Sequence, residues 1–147
     1  MDANVQVLEM EIRHVPQILT IAELNYPGKY ESKEVEAVFT GVRQMVKNKF
    51  FVVEHNKFVV SFGGWCVAQS WPDKYGLYWL NTISTFQGKG YASLIVEKII
   101  ESVKQEATGR RVVLMLSCRE QLVKYYQKFG FVQQQSNKDL MILVINN

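Results

Sequence analysis

The hydrophobic positions of the first third of the chain predict one strand followed by two helices. Apolar and polar residues alternate over residues 4–12, which is typical of a half-buried strand. Pro16 suits the first turn of a helix, and apolar residues at helical spacing follow it as far as Leu24. Residues 25–28, Asn-Tyr-Pro-Gly, end that helix. A second amphipathic helix is predicted over about residues 33–47.

The middle of the chain predicts a β-hairpin. Residues 50–54 and 58–67 are mostly apolar and flank the short segment His55-Asn56-Lys57. The pair Gly63-Gly64 inside the second arm indicates a bulge or a close approach of two backbones.

A strand, a long helix and another strand follow. Residues 69–76 are predicted to form a loop, and residues 77–84 form an aromatic strand. After a glycine turn, apolar residues recur at helical spacing from Leu94 to Val103. Residues 111–116 are a short β-branched run typical of a buried strand. A strand–helix–strand crossover of this kind is expected to be parallel and right-handed.

The last third predicts one helix and two strands. The helix covers residues 119–128 and stops at Phe129-Gly130-Phe131, and strands 131–135 and 140–145 pair with each other. The element order is therefore β-α-α-β-β-β-α-β-α-β-β. This order predicts a mixed α/β (α+β) fold, with a central sheet of about six to seven strands flanked by about four helices.

The turn Gln87-Gly88-Lys89-Gly90 predicts a diphosphate-binding site. The first backbone N–H groups of a helix have no internal partners, and the helix dipole adds partial positive charge at that end. Gly88 and Gly90 lack a β-carbon, so a phosphate can approach the main chain closely. The chain contains neither the G-x-x-x-x-G-K-[ST] sequence of a nucleotide P-loop nor a G-x-G-x-x-G dinucleotide sequence.

Composition and charge argue against several classes of protein. The 147 residues suffice for one domain, and we expect a single domain over residues 1–147. No apolar run reaches the roughly 18–20 residues of a membrane-spanning helix. A net charge of +3 is too small to indicate a nucleic-acid partner. The N-terminus lacks the features of a secretory signal, and Cys66 and Cys118 lack metal-ligand spacing, so we expect a cytoplasmic protein with reduced thiols and no metal.

Two short sequences resemble the signatures of the GNAT superfamily of N-acetyltransferases. Residues 87–92 (QGKGYA) resemble the family's [QR]-x-x-G-x-[GA] pattern, which binds the diphosphate of acetyl-CoA. Residues 126–131 (YQKFGF) resemble its Y-x-x-x-G-F pattern at the end of the fourth helix. The element order also resembles the GNAT fold over essentially the full length. The resemblance implies an acetyl-CoA-dependent enzyme that transfers an acetyl group directly to a primary amine of a small molecule.

The resemblance also assigns the coenzyme to particular residues. The diphosphate is expected on the backbone of the glycine turn and the first helical turn, and the pantetheine arm beside the strand 77–84 like an added edge. The predicted coenzyme-binding residues are Leu80, Thr82, Gln87, Gly88, Lys89, Gly90, Tyr91, Ala92 and Ser93.

Tyr126 is the residue that the resemblance assigns to catalysis, as the proton donor to the departing thiolate of CoA. A phenol with a pKa of about 10 is a suitable acid for a thiolate whose conjugate acid has a pKa of about 8.5, once the site is desolvated. Tyr125 is the alternative donor or a coenzyme contact. Cys118 could instead carry the acyl group, although a small buried residue is the simpler interpretation.

The sequence does not identify a general base. An alkylammonium with a pKa of about 10.4 is neutral in only about one molecule in 2,500 at pH 7, and many relatives remove its proton with a Glu or His on the fourth strand. Residues 75–79 contain neither. We expect His55 to be exposed in the hairpin turn and His14 to be structural. The open candidates are acidic residues and a tyrosine that could order a water: Asp73, Glu31, Glu34 and Tyr78.

The acceptor is also open. Residues 116–126 resemble the aralkylamine N-acetyltransferase branch, but Gly76 and Tyr78 stand where that branch has two histidines. Aromatic side chains could line an acceptor pocket or belong to the core and rim: Tyr26, Tyr30, Trp65, Trp71, Tyr78 and Trp79. The alternatives are a peptide or protein N-acetyltransferase, and a CoA-binding sensor that has lost catalysis. An exposed strand 140–145 could pair across a two-fold axis in a homodimer.

Overall fold

A computed structural model describes residues 4–28 and 46–147 of the chain. The strands in these residues are β1 (Val5–Glu9), β2 (Val46–His55), β3 (Phe58–Ala68), β4 (Lys74–Thr82), β5 (Arg111–Ser117), β6 (Val132–Gln133) and β7 (Leu140–Asn146). They form one sheet in the order β1-β2-β3-β4-β5-β7-β6. Only the β4–β5 pair is parallel among the described strands, as the strand–helix–strand crossover predicts.

Three α-helices belong to the described residues: α1 (Val15–Asn25), α2 (Tyr91–Glu106) and α3 (Val123–Gln127). The predicted mixed α/β class is therefore confirmed. Most of the predicted second helix, together with Tyr30, Glu31 and Glu34, lies outside the described residues. The predicted helix 119–128 is divided into a 3-10 turn, Glu120–Leu122, and the short α3. Within residues 4–28 and 46–147, no helix has the length and apolar character needed to cross a membrane.

Several predicted boundaries are wrong. The strand 77–84 ends at Thr82, and the strand 131–135 is only Val132–Gln133. Three others are explained by pairing or a local turn. The strand 4–12 ends at Glu9, since a 3-10 turn at Ile12–His14 leads into α1. β2 begins inside the predicted second helix because Val46 already pairs with Ala68 of β3, and tertiary pairing overrides local periodicity. β4 begins inside the predicted loop because Lys74 pairs with β5.

The predicted hairpin is confirmed, and its two arms approach each other closely. Asn56 and Lys57 both have left-handed φ angles, 51° and 70°, which suits a two-residue turn between twisted strands. A β-carbon added at Gly64 would lie 2.3 Å from Cδ1 of Phe50 and 2.5 Å from the carbonyl oxygen of Lys49. The close backbone approach predicted for the glycine pair is therefore present.

Apolar side chains cover both faces of the sheet. The apolar stripe of α2 packs on one face, where the indole Nε1 of Trp65 donates to Oγ of Ser102 at 2.8 Å. α1 packs on the opposite face, where Ile18 and Ile21 meet Phe62. The helix that follows the glycine turn is thus fixed against the sheet along its length.

β4 and β5 are joined for only part of their length. The parallel pairs run from Lys74–Val113 to Gly76–Met115, and no further rung joins these two described strands. β4 nevertheless continues to Thr82 and β5 to Ser117. Because the strands are parallel, their diverging carboxyl ends lie at the same end of the sheet. We call the gap between residues 77–82 of β4 and residues 116–117 of β5 the cleft.

Candidate active site

The glycine turn connects the carboxyl end of β4 to α2. Gly88 and Gly90 have φ angles of 77° and 88°, a left-handed conformation that costs other residues about 1–2 kcal/mol. Gly90 is the N-cap residue, and the first intrahelical bond runs from Leu94 N–H to its carbonyl at 3.2 Å. A β-carbon at either glycine would have no atom within 4 Å. The turn is therefore an open cradle in front of the first amides of α2, and a diphosphate fits such a cradle.

Two side-chain amides, one from the turn and one from α1, bond to the same carbonyl at the end of β4. Nε2 of Gln87 and Nδ2 of Asn25, at the end of α1, both donate to the carbonyl oxygen of Thr82 at 3.1 Å. Gln87 thus supports the turn from inside, and the Thr82 carbonyl is already satisfied. The ammonium of Lys89 lies 5.2 Å from the ring centre of Phe86, a cation–π contact that keeps its charge beside the turn.

The cleft edge of β4 presents main-chain groups. The N–H of Ile83 donates to the Val60 carbonyl of β3 at 2.9 Å. Because successive residues of a strand point their main-chain groups to opposite sides, those of Thr82 and Leu80 point away from β3, towards the cleft. The two predicted pantetheine contacts on β4 therefore share one edge.

A β-bulge at Trp79 lies between these residues and the regular part of β4. Trp79 has a φ of 57°, and Trp79 and Leu80 together lie opposite Gly63 alone. Leu77 and Leu80 both pack on the α2 face, although residues three apart in a regular strand face opposite sides. The extra residue makes that arrangement possible, at a backbone cost of about 1–3 kcal/mol.

The adjacent tyrosines of α3 differ in how their hydroxyl groups are used. The hydroxyl of Tyr125 shares a hydrogen bond of 2.9 Å with Oγ of Ser93. Tyr126 is 7% exposed, and no described group forms a hydrogen bond with its hydroxyl. Since no fully buried side-chain polar atom of the described residues lacks a partner, the Tyr126 hydroxyl still reaches open space. Burial, with a smaller contribution from Tyr125, raises the pKa of Tyr126 well above its usual range.

The Ser93–Tyr125 bond brings the predicted site residues together. Ser93 lies in the first turn of α2, so the bond docks α3 beside the glycine turn. α3 follows β5, and α2 follows β4, so both helices begin at the open end of the cleft. The structure thus gathers the predicted coenzyme residues and Tyr126 at one end of the sheet.

Of the two described candidates for a base, Asp73 is engaged elsewhere, and Tyr78 stays 49% exposed on β4. Asp73 is 3.3 Å from Arg110 in an exposed ion pair. His55, predicted to be exposed, is instead half-buried, with its ring 5.1 Å from that of Phe86 and 6.1 Å from that of Tyr91. Aromatic packing beside the glycine turn is the reason for this difference.

His14 has the structural role that was expected. Its Nδ1 accepts the N–H of Glu11 at 2.9 Å, so its Nε2 carries the proton and donates to buried Glu54 at 2.8 Å. A separate cavity of about 530 Å³ adjoins this pair and includes no residue of the cleft. It is lined by Asn4, Gln6, Arg13, Glu54, Asn56 and Lys57.

Neither cysteine has the character of a nucleophile. Burial raises the pKa of the Cys66 thiol to about 12. Burial also raises the pKa of Cys118, and the nearby charge of Asp139 adds to the effect. Both therefore stay protonated near neutral pH, which argues against a covalent acyl carrier.

The aromatic residues predicted for an acceptor pocket do not all lie together. Trp65 is 1% exposed within the α2-side core, and Trp71 is exposed in the turn before β4. Tyr78 and Trp79 lie on the opposite face of the sheet. There the ring centres of Trp79 and Phe50 are 6.1 Å apart. Tyr26, just after α1, is close enough to Tyr126 to affect its pKa.

Sequence reasoning missed Asn25 as a partner of the Thr82 carbonyl, which Gln87 of the glycine turn also bonds. The residue lies far from the turn in the chain, and its only signal is a polar side chain at the end of an apolar helical stripe. Sequence reasoning also missed the contact between Ser93 and Tyr125, because the two residues lie 32 positions apart in the chain, in different helices.

Comparison with known proteins identifies the family. The sequence model of the Acetyltransferase (GNAT) family matches residues 15–131, which include both signatures. No curated protein sequence matches the chain significantly.

Solved structures share the fold at low sequence identity. A GNAT family acetyltransferase from Brucella melitensis, in complex with acetyl-CoA, is 16% identical, with a TM-score of 0.73 over 99% of this chain and 91% of that chain. An aminoglycoside 6'-N-acetyltransferase complexed with coenzyme A is 14% identical, with a TM-score of 0.73. The match covers 97% of this chain and 98% of that chain. The ribosomal-protein-S18-alanine N-acetyltransferase from Escherichia coli is 15% identical, with a TM-score of 0.72. The match covers 97% of this chain and 95% of that chain.

The open glycine cradle, the parting of β4 from β5 and the family match agree with one another. This chain belongs to the acetyltransferase (GNAT) family and is an acyltransferase that uses acetyl-CoA as its acyl donor.

Proposed function

We propose that this acetyltransferase transfers the acetyl group to the primary amine of a small molecule bound in the cleft. The observation that carries the proposal is the grouping of three unsatisfied features at one end of the sheet. Within the described residues, these are the edge of β4 beyond its last rung with β5, the amide-lined mouth of α2 and the hydroxyl of Tyr126, to which no described group bonds. Each is a group that a bound thioester could satisfy.

The coenzyme-binding residues follow from this geometry. The amides that follow Gly88 and Gly90 would hold the diphosphate, a contact typical of helix N-termini. The pantetheine arm would add to the cleft edge of β4 beside Leu80 and Thr82. At Thr82 the available group is the N–H, because the carbonyl already accepts from Gln87 and Asn25.

Tyr126 supplies the proton that the reaction needs. The nitrogen of the neutral amine bonds to the thioester carbon, and the carbon–sulfur bond breaks. The Tyr126 O–H gives its proton to the departing sulfur, and the phenolate regains a proton from solvent as the nitrogen loses one. Burial raises the pKa of Tyr126, so the phenol carries its proton throughout the neutral range, as an exposed phenol also does.

A small amine with an apolar or aromatic part is the favoured acceptor. The support is the exposed ring of Tyr78 near the closed end of the cleft, together with the resemblance of residues 116–126 to the aralkylamine branch. The two named neighbours differ in acceptor, since one name specifies an aminoglycoside and the other a ribosomal protein. A peptide acceptor is therefore the second candidate.

Release of CoA, followed with a thiol reagent, tests the proposal. The panel contains aromatic and aliphatic primary amines, an aminoglycoside and a short peptide with an N-terminal alanine. We expect turnover with the small amines and little with the peptide. Preference for the peptide would favour the second candidate. No CoA release with any member, alongside binding of CoA in calorimetry, would favour a sensor.

We also propose that two copies of the chain pair through the outer edge of β7. The N–H of Gln134 donates to the Leu140 carbonyl at 2.9 Å, so the main-chain groups of Leu140, Ile142 and Val144 face that edge. Among the described residues, β6 and Gln134 cover this edge from Leu140 to Ile142, and Val144 lies beyond them. We expect the wild-type protein to sediment as a dimer and Val144→Pro as a monomer. The proline removes a backbone N–H that faces the outer edge of β7 and leaves the hydrogen bonds between β7 and β5 intact. A monomeric wild-type protein would contradict the proposal.

A further inference from the structure

The ring of Tyr78 lies back over Gly76, its neighbour two residues earlier on the same face of β4. A β-carbon added at Gly76 would lie 2.5 Å from Cε2 of Tyr78, 2.9 Å from Cζ and 3.0 Å from the hydroxyl oxygen. Real β-carbons do not approach other atoms this closely, so any other residue at position 76 would displace the ring. The orientation of Tyr78 thus depends on the glycine.

This ring lies at the closed end of the cleft. Gly76 forms the last β4–β5 rung with Met115, and the strands part beyond it. Leu77 is buried on the α2 face, so Gly76 and Tyr78 face the opposite side, where α1 packs. Tyr78 itself remains 49% exposed, although it belongs to a central strand of the sheet.

An exposed phenol ring at that point offers a flat surface to an incoming amine. Aromatic rings bind apolar and aromatic groups over their faces and also attract ammonium groups. We propose that Tyr78 is a specificity-determining residue of the acceptor site, and that it selects primary amines with an aromatic group by stacking. Gly76 is the positioning residue that gives the ring room to lie flat. This inference rests on the proposed function, since it concerns the amine acceptor of the same cleft.

The test compares two amines of similar reactivity, 2-phenylethylamine and n-butylamine. The readout is the ratio of their kcat/KM values in the wild-type protein, Tyr78→Phe, Tyr78→Ala and Gly76→Ala, with the KM for acetyl-CoA measured in each. Affinity for CoA in calorimetry shows whether each variant is folded.

We expect Tyr78→Ala to lower the preference for 2-phenylethylamine about three- to tenfold, which is the contribution of one aromatic pair. Tyr78→Phe should keep the preference, because the ring face is retained. Gly76→Ala should lower it as Tyr78→Ala does, because the added methyl group moves the ring aside. The KM for acetyl-CoA should not follow this pattern.

An unchanged ratio in a folded Tyr78→Ala variant would overturn the role of Tyr78 and leave the proposed function standing. A wild-type protein that acetylates neither amine would overturn the proposed function, and this inference with it. If Gly76→Ala does not fold, the two Tyr78 variants still decide the question.

Discussion

The two edges of β4 are built differently. The edge towards β3 contributes to the stability of the sheet, and the edge towards β5 borders the proposed active site. Towards β3 the pairs run from Val67–Tyr75 to Ser61–Thr82, interrupted at the bulge. Towards β5 the described pairs end at the Gly76–Met115 rung. One strand thus pairs along one edge as far as Thr82, and along the other edge it has no described partner strand beyond Gly76.

On the closed side of β4, where it is paired, strands β2 and β3 are packed tightly, whereas the glycine turn on the open side has room for a ligand. A β-carbon at Gly64 of β3 would collide with the neighbouring strand β2, but one at Gly88 or Gly90 would meet no atom within 4 Å. Substitutions at the closed side should therefore lower stability. Substitutions at the open side should lower binding or turnover, and this contrast can be tested.

Replacing Tyr126 should have the largest effect on the open side. Tyr126→Phe removes the proton donor but keeps the ring contacts with Tyr125 and Phe131. We expect kcat to fall about 10²–10⁴-fold, the usual contribution of a general acid. The KM for acetyl-CoA should change little. Steady-state measurement of thiol release checks both values.

Tyr125→Phe is the matched control for that substitution. It removes the hydroxyl that bonds to Ser93 and leaves the proposed acid in place. Its kcat should fall much less. If Tyr125→Phe has the larger effect, the roles of the two tyrosines are the reverse of those proposed.

The dependence on pH should reflect the same buried phenol. With no carboxylate or imidazole among residues 77–82 and 116–117 of the cleft, kcat/KM for an alkylamine should rise about tenfold per pH unit towards the pKa of the amine. Burial opposes formation of the phenolate, so Tyr126 keeps its proton to a higher pH than an exposed tyrosine does. The profile should therefore have no falling limb below about pH 10.

A falling limb at lower pH would identify a different acid. The same profile for Tyr126→Phe provides the control, because a limb caused by this phenol must be absent from it. Circular dichroism at each pH distinguishes loss of the acid from loss of the fold.

Much of the fold could be predicted from the sequence because local signals and pairing agree there. The helix after Gly90 has a strong apolar stripe, and Asn56-Lys57 is short enough to force a hairpin, so both are where they were expected. β2 was predicted too short because its first residues have helical periodicity. Pairing of Val46 with Ala68 outweighs that local preference. This pairing joins residues that are distant in the chain, so it cannot be predicted from a local pattern.

The site could be predicted only where its chemistry follows from consecutive residues. The glycine cradle is of this kind, since Gly88 and Gly90 determine its shape. The hydrogen bond made by Asn25, the bond between Ser93 and Tyr125, and the position of Tyr78 over Gly76 depend on side-chain directions. Those directions are fixed by packing between distant segments, or by a bulge that reverses the alternation of the strand.

On the closed side, Gly64→Ala should lower the free energy of unfolding. The added methyl group would lie 2.5 Å from a backbone oxygen of Lys49, which cannot move without shifting β2. Overpacking of this kind costs about 1–3 kcal/mol. Denaturant unfolding measures the loss, and CoA affinity of the folded protein should remain close to that of the wild type. A large fall in affinity without loss of stability would mean that the packing between β2 and β3 is not independent of the coenzyme site.

Substitutions at the glycines of the open cradle should have the smallest of these effects, and a matched glycine makes it measurable. Gly109, in the turn after α2, has a φ of 80° and likewise no atom within 4 Å of an added β-carbon. Gly90→Ala and Gly109→Ala should therefore lose similar stability, about 1–2 kcal/mol for a left-handed alanine. Only Gly90→Ala adds a methyl group at the positive end of the helix, where it would keep an anion from the amides. We expect its Kd for CoA in calorimetry to rise about tenfold, and that of Gly109→Ala to stay unchanged. Equal affinities for the two variants would show that the diphosphate does not bind at the mouth of α2.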